Sequence, residues 1–92
     1  MTDIKKLKSL REKINSIDKQ ILDLLIERAN ISAEIGDVKK DLNREIIDRK
    51  RESEILLELE KKCSEQNLDF EYVKDIWNII LNKSHDIQIN GR

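Results

Sequence analysis

Residues 7–42 read LKSLREKINSIDKQILDLLIERANISAEIGDVKKDL and carry the strongest structural signal in the chain. Large apolar residues, interrupted by one arginine, recur there at alternating steps of three and four: Leu7, Leu10, Ile14, Ile17, Ile21, Leu24, Arg28, Ile31, Ile35, Val38 and Leu42. This spacing is the heptad seam of a long helix whose apolar side faces another helix. Charged and turn-forming residues from Lys39 to Arg44 predict where the helix ends. We therefore expect a first helix from about residue 4 to about residue 42.

Two shorter helices are predicted downstream. Asp48 is a candidate N-cap, and helical spacing follows it to about residue 65 through Arg51, Glu52, Ile55, Leu56, Leu59 and Cys63. Residues 66–69 predict a turn that leads into a new N-cap, after which helical spacing resumes through Val73, Ile76, Trp77, Ile80, Leu81, Ser84, Ile87 and Gln88. We expect helices over about 48–65 and 69–88, and a single all-α domain over residues 1–92 without repeats or linkers.

Composition limits the kind of protein. The 92 residues include 40% charged residues, no proline and two glycines, which favours long helices with solvated faces. The 18 basic and 19 acidic residues nearly cancel, so no global field favours nucleic acid or an anionic membrane. One cysteine excludes an internal disulfide, and no apolar segment of signal or membrane length follows the N-terminus, so we expect a cytoplasmic protein. A domain this small buries limited surface alone, which favours a partner.

Arg28 is the clearest candidate for a functional residue because it stands at a seam position between Leu24 and Ile31. A buried guanidinium costs several kcal/mol unless an anion pairs with it, and the seam offers none. A purely structural interpretation would require an internal partner such as Glu52. A ligand carboxylate is the functional alternative.

Other polar residues extend the apolar faces of the second and third helices. Asp48, Arg51 and Glu52 stand at i, i+3 and i+4 on one face, and Ser84 and Gln88 continue the face of the third helix. Taken singly, these residues would be an N-cap, a solvated ion pair and a frayed helix end. Their joint occurrence on inward faces favours a polar site instead.

Three further residues are interpreted in structural terms. Gly36 costs about 1 kcal/mol in the middle of a helix, and it is either tolerated or needed for a close backbone approach. His85 and Cys63 are interpreted as structural or surface residues.

Arg11 and Lys39 each follow a seam residue directly and share one flank of the predicted first helix. At about 1.5 Å per residue they lie roughly 42 Å apart, so one chain cannot bring both to one small ligand. If two copies pair antiparallel about an axis near residue 22, Arg11 of one chain lies opposite the stretch between Arg28 and Lys39 of the other. We therefore predict a homodimer with sites shared between chains, against the alternative of ordinary coiled-coil flank charges.

These elements, in this order and at this spacing, resemble the all-helical AroQ class of chorismate mutases. The resemblance covers nearly the whole chain and rests on Leu10-Arg11-x-x-Ile14 with Ile17-Asp18, Leu24-Leu25-x-x-Arg28, Ile35-Gly36-x-x-Lys39, Asp48-x-x-Arg51-Glu52 and Ser84-x-x-x-Gln88. Asn15 departs from the family, whose members often carry aspartate there, and it affects no site residue.

The resemblance implies a three-helix protomer, intertwined with a second copy, that converts chorismate to prephenate in phenylalanine and tyrosine biosynthesis without cofactor or metal. By matched position it implies that Arg28 and Arg11 of the partner chain clamp the two carboxylates of chorismate and that Arg51 supports that end. It implies Lys39 and Gln88 at the ether oxygen and Glu52 at the ring hydroxyl. The remaining lining would be Asp48, Ser84, Ile35 and Leu81.

Two other functions are alternatives to the mutase. An isochorismate-pyruvate lyase shares the fold and a cationic site, and the Asp48-x-x-Arg51-Glu52 match favours the mutase over it. A regulatory helical module that docks on another shikimate-pathway enzyme is the alternative from another class, and docking could also accompany catalysis. A plain coiled-coil adaptor does not explain Arg28.

Overall fold

The structure is a computed structural model that describes residues 2–92. It contains three α-helices, α1 (Asp3–Asp41), α2 (Arg49–Gln66) and α3 (Phe70–Asn90), and no strand within those residues. The predicted all-α, three-helix class is confirmed, and α3 ends at Asn90 rather than near residue 88. None of the three helices combines the length and apolarity needed to cross a membrane.

Each helix begins at a side-chain cap. The Thr2 hydroxyl accepts a hydrogen bond from the Lys5 backbone N–H at 3.3 Å. The Asp48 and Asp69 carboxylates accept from backbone N–H groups at the start of α2 and α3, each at 3.0 Å. The two predicted N-caps are therefore present, and the caps satisfy donors that a helix N-terminus leaves unpaired. Asn67 ends α2 in the left-handed conformation, with φ of 54°.

α3 lies against both other helices, whereas α1 and α2 share no close backbone contact within the described residues. The buried apolar side chains are Cys63 on α2 and Val73, Leu81 and Ile87 on α3. Ser32 on α1 and Ser84 on α3 are also buried. The small core thus lies along α3. Side chains of α1 and α2 line a common cavity between these two helices.

Gly36 is the point of closest approach between α1 and α3. It is buried, and a Cβ atom built there would lie 2.7 Å from the Gln88 Cα and closer still to the Gln88 carbonyl oxygen. Real Cβ atoms do not come so near to a backbone, so only glycine fits. Of the two interpretations of Gly36, close backbone approach is confirmed.

Gly36→Ala should destabilise the protein even though alanine favours helices. The helix-propensity gain is about 1 kcal/mol. The added methyl meets backbone atoms that cannot rotate away, and the overpacking should reach the upper end of the usual range, about 3 kcal/mol. We expect the free energy of unfolding to fall by about 2 kcal/mol, measured by urea denaturation followed by circular dichroism.

Asn78→Ala on the exposed side of α3 is the matched control, since it changes propensity without adding a contact. Its stability should equal or slightly exceed that of the wild type. A Gly36→Ala variant as stable as the control would contradict the close approach of the two helices.

The N-terminal half of α1 projects away from the rest of the chain, and the molecule measures 61 × 27 × 15 Å. Six of its apolar side chains are between 47% and 63% exposed, and we call them the exposed seam: Leu7, Leu10, Ile14, Ile17, Ile21 and Leu24. These six heptad positions therefore lie on one continuous helix, but their own chain does not cover them. A contiguous apolar surface of this kind marks an interaction site.

Candidate active site

A cavity of about 420 Å³ opens between the three helices and the 42–48 connection. Its walls include nine of the ten side chains that the sequence nominated: Arg28, Ile35, Lys39, Asp48, Arg51, Glu52, Leu81, Ser84 and Gln88. Arg11 is the exception. The cavity has the size of a small-molecule site, and polar groups from separate elements converge on it.

Arg28 contributes a half-buried guanidinium to the cavity wall. Within residues 2–92 it forms no ion pair, and Glu52, the internal partner that a structural interpretation needs, contacts His85 instead. The described part of the chain thus leaves this cation available. An anionic ligand group would supply the missing partner.

Lys39 lies at the centre of a hydrogen-bonded group at one end of the cavity. Its Nζ donates to the Ile46 backbone carbonyl at 2.5 Å and to the Gln88 Oε1 at 2.8 Å. Gln88 Nε2 in turn donates to the Ser84 Oγ at 3.2 Å. An ammonium has three N–H donors and a carboxamide two, so Lys39 and Gln88 each retain one for a ligand. These contacts also tie the 42–48 connection to α1 and α3.

Ser32 and Ser84 form the buried polar floor beside this group. Their hydroxyl oxygens lie 2.9 Å apart and link α1 to α3. Because Ser84 also accepts from Gln88, the serine pair fixes the carboxamide that faces the cavity. Buried hydroxyls in such a chain satisfy one another and hold a single arrangement.

Glu52 on α2 and His85 on α3 contact each other in the wall of the cavity. The His85 Nε2 and Glu52 Oε2 atoms are 3.1 Å apart, and the side chains are 19% and 24% exposed. No group among residues 2–92 donates a hydrogen bond to the other carboxylate oxygen, Oε1. One oxygen of Glu52 is therefore anchored while the second is free to accept.

Cations exceed carboxylates around the cavity. Arg28, Lys39 and Arg51 face Asp48 and Glu52. One oxygen of Asp48 is already used as the cap of α2, accepting from the Arg51 backbone N–H. The local balance favours an anion although the whole chain carries a formal charge of −1. Among residues 2–92, no group of three or more His, Cys, Asp or Glu side chains is arranged to hold a metal ion.

Arg11 lies outside this cavity. It is exposed on the projecting half of α1, 17 positions before Arg28 on a continuous helix. At about 1.5 Å per residue, the two lie roughly 25 Å apart along the axis, beyond the reach of an arginine side chain. A single chain therefore does not bring Arg11 to its own cavity.

Five lining residues are additions that the sequence did not nominate: Ile31, Ser32, Ile46, Ile55 and His85. Ser32 directly follows a seam position and carries no charge, so it gave no signal. His85 was interpreted from the sequence as a structural or surface residue. It is half-buried and also lines the cavity. Its position between Ser84 and Gln88 was the signal available.

The chain is similar to several known proteins. Residues 10–89 match the profile of the chorismate mutase type II family. A chorismate mutase of Methanocaldococcus jannaschii is 33% identical over 85 residues, covering 92% of this chain and 86% of that protein. A bifunctional chorismate mutase/prephenate dehydratase of Escherichia coli is 33% identical over 84 residues, covering 91% of this chain and 22% of that protein.

A solved structure is also similar. The conserved hypothetical protein from Pyrococcus furiosus superposes with a TM-score of 0.71 at 41% sequence identity, covering 90% of this chain and 95% of that chain. The three-helix arrangement is thus found in a solved structure. The chain spans nearly the full length of the archaeal proteins and about a fifth of the bifunctional one.

Proposed function

The chain belongs to the chorismate mutase type II family, and from that premise we propose that it is the isomerase that rearranges chorismate to prephenate in phenylalanine and tyrosine biosynthesis. The observation that carries the proposal is the half-buried Arg28, which lacks an ion-pair partner within residues 2–92 and shares its cavity with Lys39 and Arg51. The substrate is a dianion. Its carboxylates supply the negative charge that this cavity lacks.

Arginines suit the recognition of those carboxylates. A planar guanidinium can bind a carboxylate through two parallel N–H donors, which fixes its orientation as well as its position. We propose that Arg28 holds one carboxylate and that Arg51 supports the binding at the same end. Arg28 loses little by binding, since no internal ion pair among the described residues has to be broken.

The remaining donors of Lys39 and Gln88 are proposed to face the ether oxygen. The rearrangement is intramolecular: the ether C–O bond breaks as a C–C bond forms, and no proton or other group is exchanged. Negative charge grows on the oxygen as the bond breaks. An ammonium held in place beforehand by Ile46 and Gln88 binds that charge more strongly in the transition state than in the ground state.

Shape contributes the rest of the proposed rate enhancement. Chorismate is flexible, and the enolpyruvyl group must lie over the ring before the new bond can form. Ile35 and Leu81 provide apolar walls, and the free oxygen of Glu52 would accept the ring hydroxyl. Asp48 and Ser84 complete the polar lining. Holding the reacting atoms at near-attack distance lowers the barrier by an entropic route.

A second copy of the chain is proposed to complete each site. The exposed seam needs an apolar partner, and an identical seam running antiparallel would provide one. Pairing about an axis near residue 22 would bring Arg11 of the partner subunit beside the cavity between Arg28 and Lys39. The resulting intertwined homodimer would have two shared sites, and Arg11 would bind the second carboxylate.

The cellular setting is proposed on chemical grounds. Cys63 is a free, buried thiol, which fits a reducing compartment such as the cytoplasm. A prephenate dehydratase is joined to the mutase in the names of the bifunctional relatives, so docking to another shikimate-pathway enzyme is compatible with catalysis.

Incubating purified protein with chorismate and following the loss of its absorbance tests the proposal. We expect prephenate to form well above the uncatalysed rate, measured in a reaction without protein. Parallel reactions with isochorismate, assayed for salicylate and pyruvate, test the lyase alternative. Turnover of isochorismate alone would favour the lyase, and a folded protein that turns over neither substrate would favour the regulatory module.

A further inference from the structure

His85 is a half-buried imidazole in the cavity wall that the proposed reaction does not use. It lies on α3, and its Nε2 atom is 3.1 Å from the Oε2 atom of Glu52 on α2. The contact joins two helices on the same side of the cavity. The contact to His85 therefore determines the position of the Glu52 carboxylate.

A glutamate beside three cations has several competing positions. Its side chain turns about three bonds, and Arg28, Lys39 and Arg51 line the same cavity. An unanchored Glu52 could pair with an arginine, which would remove both the carboxylate and the guanidinium from substrate recognition. In the structure the 3.1 Å contact to His85 occupies Oε2 instead.

The contact to His85 leaves the Oε1 atom of Glu52 free to accept a hydrogen bond from a ligand. An imidazole that carries a proton on Nε2 donates to Oε2, and Oε1 then has no donor among residues 2–92. A carboxylate fixed at one oxygen presents the other in a set direction, so a ligand hydroxyl can bind without first ordering the side chain.

We propose that His85 is a positioning residue that anchors Glu52 through Oε2, so that Oε1 accepts the hydrogen bond of the substrate's ring hydroxyl. The proposal rests on the proposed function and adds a specificity-determining residue to it. His85 itself does not touch the reacting bond. Its effect should therefore depend on whether the substrate carries that hydroxyl.

The test compares His85→Val and His85→Gln on chorismate and on the chorismate analogue that lacks the ring hydroxyl. With chorismate, His85→Val should lower kcat/KM about tenfold, mainly by raising KM, because this hydrogen bond is present in ground and transition states alike. His85→Gln should recover to within about threefold of the wild type, since its carboxamide can still donate to Glu52. With the analogue, all three proteins should have similar kcat/KM.

Glu52→Gln, made with and without His85→Val, gives a second measurement. If His85 acts through Glu52, His85→Val should have no further effect in the Glu52→Gln background.

His85→Leu replaces the valine variant if circular dichroism shows that the latter is unfolded. A wild-type protein without mutase activity would contradict the proposed function before any variant is made.

Two results would overturn the role of His85 while leaving the mutase intact. One is a His85→Val enzyme that equals the wild type on chorismate. The other is a loss that is the same on both substrates and in both Glu52 backgrounds, which would mean that His85 only supports the packing of α2 against α3.

Discussion

Lys39→Ala should lower kcat for chorismate about a thousandfold, the largest single loss we expect from one side chain. In the proposed mechanism the Lys39 ammonium faces the ether oxygen, which becomes negative only as the bond breaks, so a thousandfold loss corresponds to a barrier raised by about 4 kcal/mol. The measurement is steady-state turnover of chorismate, with kcat and KM determined separately.

Lys39 also holds the Ile46 carbonyl, so its removal loosens the 42–48 connection as well as the site. A loosened wall would chiefly raise KM, whereas a lost charge lowers kcat, and the two effects can be separated. Lys40→Ala is the matched control because Lys40 is the next residue on α1, is exposed, and is absent from the cavity lining. Its kinetics should match those of the wild type.

A Lys39→Ala enzyme that keeps its kcat and only binds chorismate more weakly would contradict the proposed charge stabilisation. It would assign the rate enhancement to the arginines and the apolar walls. Lys39→Arg should not restore full activity, since a guanidinium is larger and cannot repeat the contacts of the ammonium to Ile46 and Gln88.

The second large effect is expected when two inactive variants, Arg11→Ala and Lys39→Ala, are refolded together and activity returns. Arg11→Ala should lose about a hundredfold or more in kcat/KM through the loss of one charge-assisted carboxylate contact. Unfolding Arg11→Ala and Lys39→Ala chains together and refolding them as a mixture should restore about a quarter of the wild-type activity.

The proportion follows from symmetry. About half of the dimers formed from an equal mixture contain one chain of each kind, and in these one of the two sites has both Lys39 and Arg11 of the partner subunit. Each variant refolded alone is the control and should stay inactive. A mixture no more active than its components would contradict sites shared between chains.

The sequence predicted the helices well because their signals are local. The spacing of residues 7–42 defined α1, and the caps Asp48 and Asp69 marked the starts of α2 and α3. Arg28 could be nominated because a charge in an apolar seam is conspicuous without any knowledge of its neighbours. These features depend on residues close together in the chain.

The contacts between helices could not be predicted in the same way. Whether Arg28 meets Glu52 depends on how α2 is placed across α3, and helical periodicity gives no crossing angle. Ser32 and His85 were missed as cavity residues because a small hydroxyl and a lone imidazole stand out only once their partners, Ser84 and Glu52, are known. Gly36 was noticed, but its meaning depended on finding the Gln88 backbone against it.

The exposed seam has a consequence for how the protein reaches its final form. A newly synthesised chain has no segment of its own, within the described residues, that covers the first half of α1. If a second copy supplies that cover, the last stage of refolding is an encounter between two chains, so its rate rises with protein concentration. The monomer is then a short-lived species, and dilute chains are exposed longer to proteolysis and aggregation than concentrated ones.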